Sequence, residues 1–237
     1  MGLKCTIKKQ IKAFSIDVAF DCPAGKTLAL IGPSGAGKTT IIRMLAGLER
    51  PDDGQIVYDG MAFYDRSRRV NISPQKRQLG YVFQDYTLFP HLTISENAAF
   101  SAKDRNEVDD LIDYFGLTEL RNRKPHQVSG GERQRCAICQ ALATHPRLLL
   151  LDEPFSALDV ETKRVLRAEL KKIKEERAIT VIYVTHDIHE AHYIGDIILP
   201  IVNGRVDRAW LERIVAQQAA VNGQAKVARV PKLALAY

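Results

Sequence analysis

Gly32-Pro33-Ser34-Gly35-Ala36-Gly37-Lys38-Thr39 constrains this chain more than any other segment. It fills every fixed position of G-x-x-x-x-G-K-[ST]. The apolar run Thr27-Leu28-Ala29-Leu30-Ile31 before it reads as a buried parallel strand, and a helix is expected from about Lys38 to Leu48. Glycines let such a loop turn successive backbone N–H groups inward, toward phosphate oxygens. The start of a helix adds partial positive charge at the same place. Lys38 is then expected at the β- and γ-phosphates of a nucleotide, Thr39 at a Mg²⁺ ion, and Thr40 beside it.

The flanking sequence has the periodicity of an α/β protein. Leu3, Cys5 and Ile7 alternate with polar residues, as do Phe14, Ile16, Val18 and Phe20, which predicts an N-terminal antiparallel β subdomain. Gln55 to Phe63 carries Asp59-Gly60 and reads as a tight hairpin. From about 85 to 144 only helices are expected. Thr93 and Glu96 form a capping box there, and Val108, Leu111, Ile112 and Phe115 line one helix face before Gly116. Strands return at Leu148 to Leu151, Thr180 to Val184 and Ile197 to Val202. Between the first two lies a helix with the face Leu166, Leu170 and Ile173, capped by Asp159. Strands alternating with helices imply a parallel-sheet core, here with a helical subdomain inserted.

Composition closes off other classes. With 46% hydrophobic and 26% charged residues in 237, the chain is neither disordered, collagen-like nor a disulfide-stapled miniprotein. No apolar run reaches the roughly 18 residues of a membrane span, and the first residues lack the apolar core of a secretory signal. The 34 basic residues against 28 acidic ones are scattered, which reads as a solvated surface. The four cysteines are expected as reduced thiols. Cys136 and Cys139 have no second ligand pair spaced for zinc and read as small buried residues. His186, His189 and His192 cannot converge on one metal, because positions six apart diverge by about 240° around a helix. His189 and His192 are read as surface residues.

The run Leu148 to Leu151 ends in Asp152-Glu153, delivering two carboxylates to the strand end where open α/β sheets bind ligands. Neighbours on a strand point to opposite sides, so two roles are expected. Asp152 would join the Mg²⁺ shell, and Glu153 would polarise an attacking water.

Further motifs supply a family resemblance. Val128-Ser129-Gly130-Gly131-Glu132-Arg133-Gln134-Arg135 resembles the signature of ATP-binding cassette (ABC) ATPases, and Ser156-Ala157-Leu158-Asp159 resembles their D-loop. Gln84 looks like the Q-loop glutamine and His186 like the switch histidine. The motifs follow the family's order over about residues 25 to 205. The resemblance implies a P-loop NTPase (RecA-like) core, a cassette over residues 1–221 and a tail, 222–237, with no regulatory domain. It implies ATP and Mg²⁺ as ligands, with Gln84 on Mg²⁺ and water, and His186 on the γ-phosphate and Glu153. It also implies a head-to-tail dimer in which Ser129, Gly130 and Gly131 of one copy close the site of the other. Glu132, counted with them in that signature in trans, replaces the family's usual Gln and is expected to leave the anion-binding part unchanged. Asp159 belongs to the D-loop. Phe14 has two readings: a ring on which adenine stacks, or a core residue in phase with Ile16.

Arg77 to Gln84 and Leu88 to Thr93 are similar to importers of oxyanions, and Phe14 to Phe20 through Asp52 to molybdate importers in particular. Sulfate, tungstate and iron(III) importers resemble the chain closely as well. A peripheral subunit on the cytoplasmic face is implied, with permease partners, an indirect solute-binding protein and no nucleic acid. The rival class is an ABC ATPase of DNA repair or translation. Those usually carry a long coiled coil or two fused cassettes, and neither is present here. A GTPase would need an N/T-K-x-D motif, which Thr162-Lys163-Arg164-Val165 does not match.

Overall fold

The computed structural model describes residues 1–85, 87–156 and 158–221; Tyr86, Ala157 and the tail 222–237 lie outside them. In chain order come strands β1 (Gly2–Gln10), β2 (Ser15–Pro23) and β3 (Thr27–Ile31), then helix α1 (Lys38–Ala46). Strands β4 (Asp53–Tyr58), β5 (Met61–Asp65), β6 (Val70–Asn71) and β7 (Gly80–Val82) follow. Helices α2 (Ile94–Ala99), α3 (Arg105–Tyr114) and α4 (Gly130–Leu142) precede β8 (Leu148–Asp152) and α5 (Val160–Glu176). The last elements are β9 (Thr180–Thr185), α6 (Ile188–Ile194), β10 (Ile197–Val202), β11 (Arg205–Val206) and α7 (Arg208–Val221). Among the described residues no helix is long and apolar enough to cross a membrane.

The chain forms two compact units, one from residues 1–77 with the chain from 182 onward, the other from 78–181. In the first, an antiparallel sheet has the order β2-β1-β4-β5-β6. Alternation in β1 and β2 buries Leu3, Cys5, Ile7, Ile16, Val18 and Phe20 on one face. The β4–β5 hairpin turns at Asp59 (φ 47°) and Gly60 (φ 87°), the left-handed pair that a primed turn requires. Strand β3 is buried along its whole length and runs parallel to β10, with Leu28 opposite Ile197 and Ile31 opposite Pro200. Helix α6 packs on β3 and α7 on β10. Their shared core holds Ala29, Ile31, Ile188, Ala191, Ile198 and Leu211.

Arg77 anchors the far end of α1. Its buried guanidinium donates to the carbonyls of Met44 (2.8 Å), Leu45 (2.6 Å) and Ile72 (3.0 Å). Burial lowers its pKa to about 10. A cation at a helix C-terminus meets the negative end of the helix dipole.

The second unit packs α2, α3 and α4 together and carries the parallel pair β7–β8. Val108, Leu111, Ile112 and Phe115 are buried, and Gly116 (φ 62°) ends that stretch. Thr93 and Glu96 make the expected capping box. Cys136 and Cys139 are fully buried, their thiols donating to the carbonyls of Ile94 and Leu111. Burial raises both thiols, Cys136 to about 12. The short strand β7 is an element that the sequence pattern did not reveal.

Candidate functional site

In the first unit, the Gly32–Thr39 loop joins β3 to α1. Gly32 has no room for a side chain, since a Cβ there would fall on the Ile201 carbonyl. Gly35 (φ 78°) and Gly37 (φ 98°) take left-handed conformations that favour glycine. Gly37 is the N-cap of α1, and neither a capping side chain nor a first-turn acidic residue covers that helix start. The Ala36 carbonyl accepts from the Gly204 N–H (3.0 Å), so the β10–β11 turn braces the loop. Lys38 is buried, and its ammonium donates to the carbonyls of Gly32 (2.8 Å) and Pro33 (2.9 Å). Pro33, Ser34, Gly35 and Thr39 are exposed, Thr40 half-buried.

Phe14 is half-buried and lies just before β2, outside the strand with which its sequence position is in phase. A Cβ at Gly37 would come within 3.4 Å of its ring. The ring thus borders the start of α1. His186 follows β9 in the same unit and is exposed. His189 is exposed as expected, but His192 is half-buried, and burial lowers its pKa.

In the second unit, β7 and β8 bring the other polar residues to one sheet edge. Val82 pairs with Leu151, so Gln84 leaves its strand at the edge where Asp152 ends the other. Gly80 permits that pairing, because a Cβ there would lie 2.8 Å from a Leu149 methyl. Asp152 is buried and Gln84 exposed. Glu153 is not a strand residue. Its φ of 46° turns the chain out of β8, so the expected alternation with Asp152 does not set its direction. A left-handed non-glycine backbone is uncommon and concentrates at functional sites.

The signature segment is the start of α4. Ser129 is its N-cap, the Ser129 hydroxyl accepting from the Glu132 N–H (3.3 Å). The Glu132 carboxylate accepts in turn from the Ser129 N–H (2.7 Å). Glu132 is therefore part of this junction within its own chain. Arg133 holds the preceding loop through the carbonyls of Val128 (2.8 Å) and Pro125 (3.2 Å). A Cβ at Gly130 would meet the Arg133 guanidinium at an ordinary 3.9 Å, whereas one at Gly131 would come within 3.2 Å of Leu158. Asp159 caps α5, accepting from the N–H (3.0 Å) and hydroxyl (2.6 Å) of Thr162. Those bonds, the hydroxyl first, lower its pKa.

A strand–glycine loop–helix with a buried lysine, together with carboxylates at a parallel strand end, defines a nucleotide-binding α/β protein. The ABC transporter family profile matches residues 16–156, and the chain belongs to that family. It is 43% identical over 85% of its length to the sulfate/thiosulfate import ATP-binding protein CysA of Synechocystis sp.. It is 45% identical over the same share to the spermidine/putrescine import ATP-binding protein PotA of Chromobacterium violaceum. The chain spans 58% of the length of each. The fold is similar to the dimeric ATP-binding cassette MJ0796 bound to ADP and Pi. There the TM-score is 0.73 and the identity 31%, covering 87% of this chain and 97% of that one.

Proposed function

We propose that this chain is the ATP-hydrolysing subunit of an importer, with the cassette spanning residues 1–221. The observation that carries this reading is the start of α1 at Gly37, with no side-chain cap and no acidic residue in its first turn, beside the buried Lys38. A nucleotide triphosphate fits it: Gly35 borders open space, and the first-turn amides of α1 lie at the positive end of the helix dipole. The Lys38 ammonium, now on two loop carbonyls, exchanges them for phosphate oxygens. Phe14, at the edge of the same loop, offers a ring face for adenine, a contact worth about 1–3 kcal/mol.

Thr39, Gln84 and Asp152 supply a hydroxyl, an amide oxygen and a carboxylate, the hard oxygen donors that suit Mg²⁺. Bound Mg²⁺ would neutralise phosphate charge. Glu153 orients and polarises the water, and His186 holds the γ-phosphate and Glu153. Ser129, Gly130 and Gly131 close the site of a second copy, with Asp159 of the D-loop beside them. Support for that dimer comes from the family resemblance and from the similar dimeric cassette.

The remaining partners are an integral permease and, indirectly, a solute-binding protein, with the subunit peripheral on the cytoplasmic face and no role for nucleic acid. For cargo we favour a tetrahedral oxyanion. The molybdate-importer likeness and the sulfate/thiosulfate relative both support this class. The polyamine relative is the observation behind a second reading, a cationic cargo. Phosphate release from Mg-ATP tests the activity. Uptake of labelled sulfate, molybdate and spermidine, with the permease present, tests the cargo. No ATP turnover by the wild-type chain would end the first reading, and spermidine uptake alone would replace the oxyanion.

A further inference from the structure

We propose that Glu190 is a positioning residue that acts through Thr185 to hold the turn bearing His186, an inference that rests on the ATPase reading above. Glu190 lies on α6, four residues beyond His186, and is only 4% exposed. Its Oε2 accepts from the Tyr183 hydroxyl (3.0 Å) and the Thr185 hydroxyl (2.8 Å). A hydroxyl has one proton to give. With that proton directed at Glu190, the Thr185 oxygen presents a lone pair, and it accepts from the Asp187 N–H (3.0 Å). The Asp187 carboxylate then accepts from the N–H groups of His189 (2.7 Å) and Glu190 (3.3 Å).

The bonds form a closed ring: Glu190 carboxylate, Thr185 hydroxyl, Asp187 backbone, Asp187 carboxylate, Glu190 backbone. His186 sits inside that ring by sequence, between Thr185 and Asp187, with its side chain exposed. Burying a carboxylate is unfavourable unless hydrogen bonds compensate for the water it loses, as those from the Tyr183 and Thr185 hydroxyls do here; an apolar side chain would leave both buried hydroxyls without that acceptor. Nor would it orient the Thr185 hydroxyl. The carboxylate is thus an orienting device, and the element it orients is the end of β9 from which His186 projects.

The test compares Thr185→Val, which keeps shape and loses the hydroxyl, with Thr185→Ser, which keeps the hydroxyl. Each is made in the wild type and in His186→Ala. Glu190→Leu serves as a second route to the same lesion. Mg-ATP turnover, KM, thermal unfolding and hydrogen exchange of the Asp187 amide are measured.

Thr185→Val is expected to lower kcat by about 10–100-fold with KM within about 3-fold, the scale of a misplaced catalytic group. Glu190→Leu should match it without unfolding the chain, and Thr185→Ser should restore turnover to within about 3-fold of wild type. On the His186→Ala background, Thr185→Val should add less than about 2-fold, since both remove the same function. The Asp187 amide should exchange faster in Thr185→Val and not in Thr185→Ser.

Full multiplicative loss on the His186→Ala background would mean that Thr185 acts independently of His186 and would overturn the proposal. So would unchanged turnover in Thr185→Val, or unchanged turnover in His186→Ala while the wild type hydrolyses ATP. An inactive wild type would instead overturn the ATPase reading. Exchange at the Asp187 amide would still report whether the ring holds, and an unchanged rate in Thr185→Val would refute it.

Discussion

The two glycine-rich helix starts differ in what already covers them. Helix α1 begins at Gly37, with no capping side chain and no acidic residue in its first turn. Helix α4 begins at Ser129 and is closed by its own capping box, with the Glu132 carboxylate on the Ser129 N–H. The positive end of a helix attracts anions, and a carboxylate already there competes with any that arrives. The start of α1 therefore suits a phosphate within one chain. At the start of α4 the Glu132 N–H and the Ser129 N–H are already engaged, and an anion from outside would meet the Glu132 carboxylate there. On the proposed function this separates a site that loads first from a segment that engages only when a second copy arrives.

The largest effect that this contrast predicts lies at Glu153. Glu153→Gln keeps the shape and removes the charge that polarises water, so turnover should fall by about 10²–10⁴-fold. ATP affinity should hold, because the start of α1 is untouched. Calorimetry alongside phosphate release separates the two, and near-normal turnover would remove Glu153 from its role.

Lys38→Ala strikes the loading site itself. Losing a buried charge-assisted contact should weaken ATP binding by about 2–3 kcal/mol, or about 30–150-fold. Equal affinity in mutant and wild type would show that the α1 junction holds no phosphate. Ser129→Ala should leave ATP affinity unchanged and destabilise the fold by about 1 kcal/mol, the cost of a lost helix cap. Thermal unfolding reads this directly. No change in stability would mean that α4 does not depend on its self-made cap.

Glu132→Gln is the smallest effect and the sharpest for the comparison. Glutamine can still accept from the Ser129 N–H, but without a charge to repel phosphate. ATP-driven association should strengthen by about 2–5-fold, on the scale of one charge at a helix end. Weaker association by sedimentation would show that the carboxylate helps the junction instead of competing with it.

Much of this was legible in the sequence because it rests on local rules. The left-handed turns at Gly35 and Gly37 follow from the loop itself, as the Thr93 cap, the Asp159 cap and the Asp59-Gly60 turn follow from adjacent residues, whereas the need for Gly32 also comes from the distant Ile201 carbonyl. What stayed hidden depends on contacts distant in the chain or on backbone conformation. Strand β7 is three residues long, and its pairing with β8 sets it more than any alternation of its own. Glu153 leaves its strand through a left-handed φ that no residue pattern announces. Ser129 and Glu132 do carry the S-x-x-E spacing of a capping box, the signal that would have found it. The signature resemblance gave those residues another meaning first. Glu190, charged and one position after His189, has the spelling of a solvated helix face and is buried by its hydroxyl partners.

Association in trans is the central claim, and light scattering on two variants tests it most directly. Glu153→Gln with Mg-ATP should form a dimer, since hydrolysis no longer releases it. Adding Gly130→Asp places a carboxylate at the start of α4, where a Cβ makes only an ordinary 3.9 Å contact with the Arg133 guanidinium, so the fold accepts it. Like charge against a second copy's phosphate disfavours closure. The double variant should bind ATP and remain a monomer. A double variant that dimerises as well as Glu153→Gln alone would show that the start of α4 does not close the nucleotide site of a second copy.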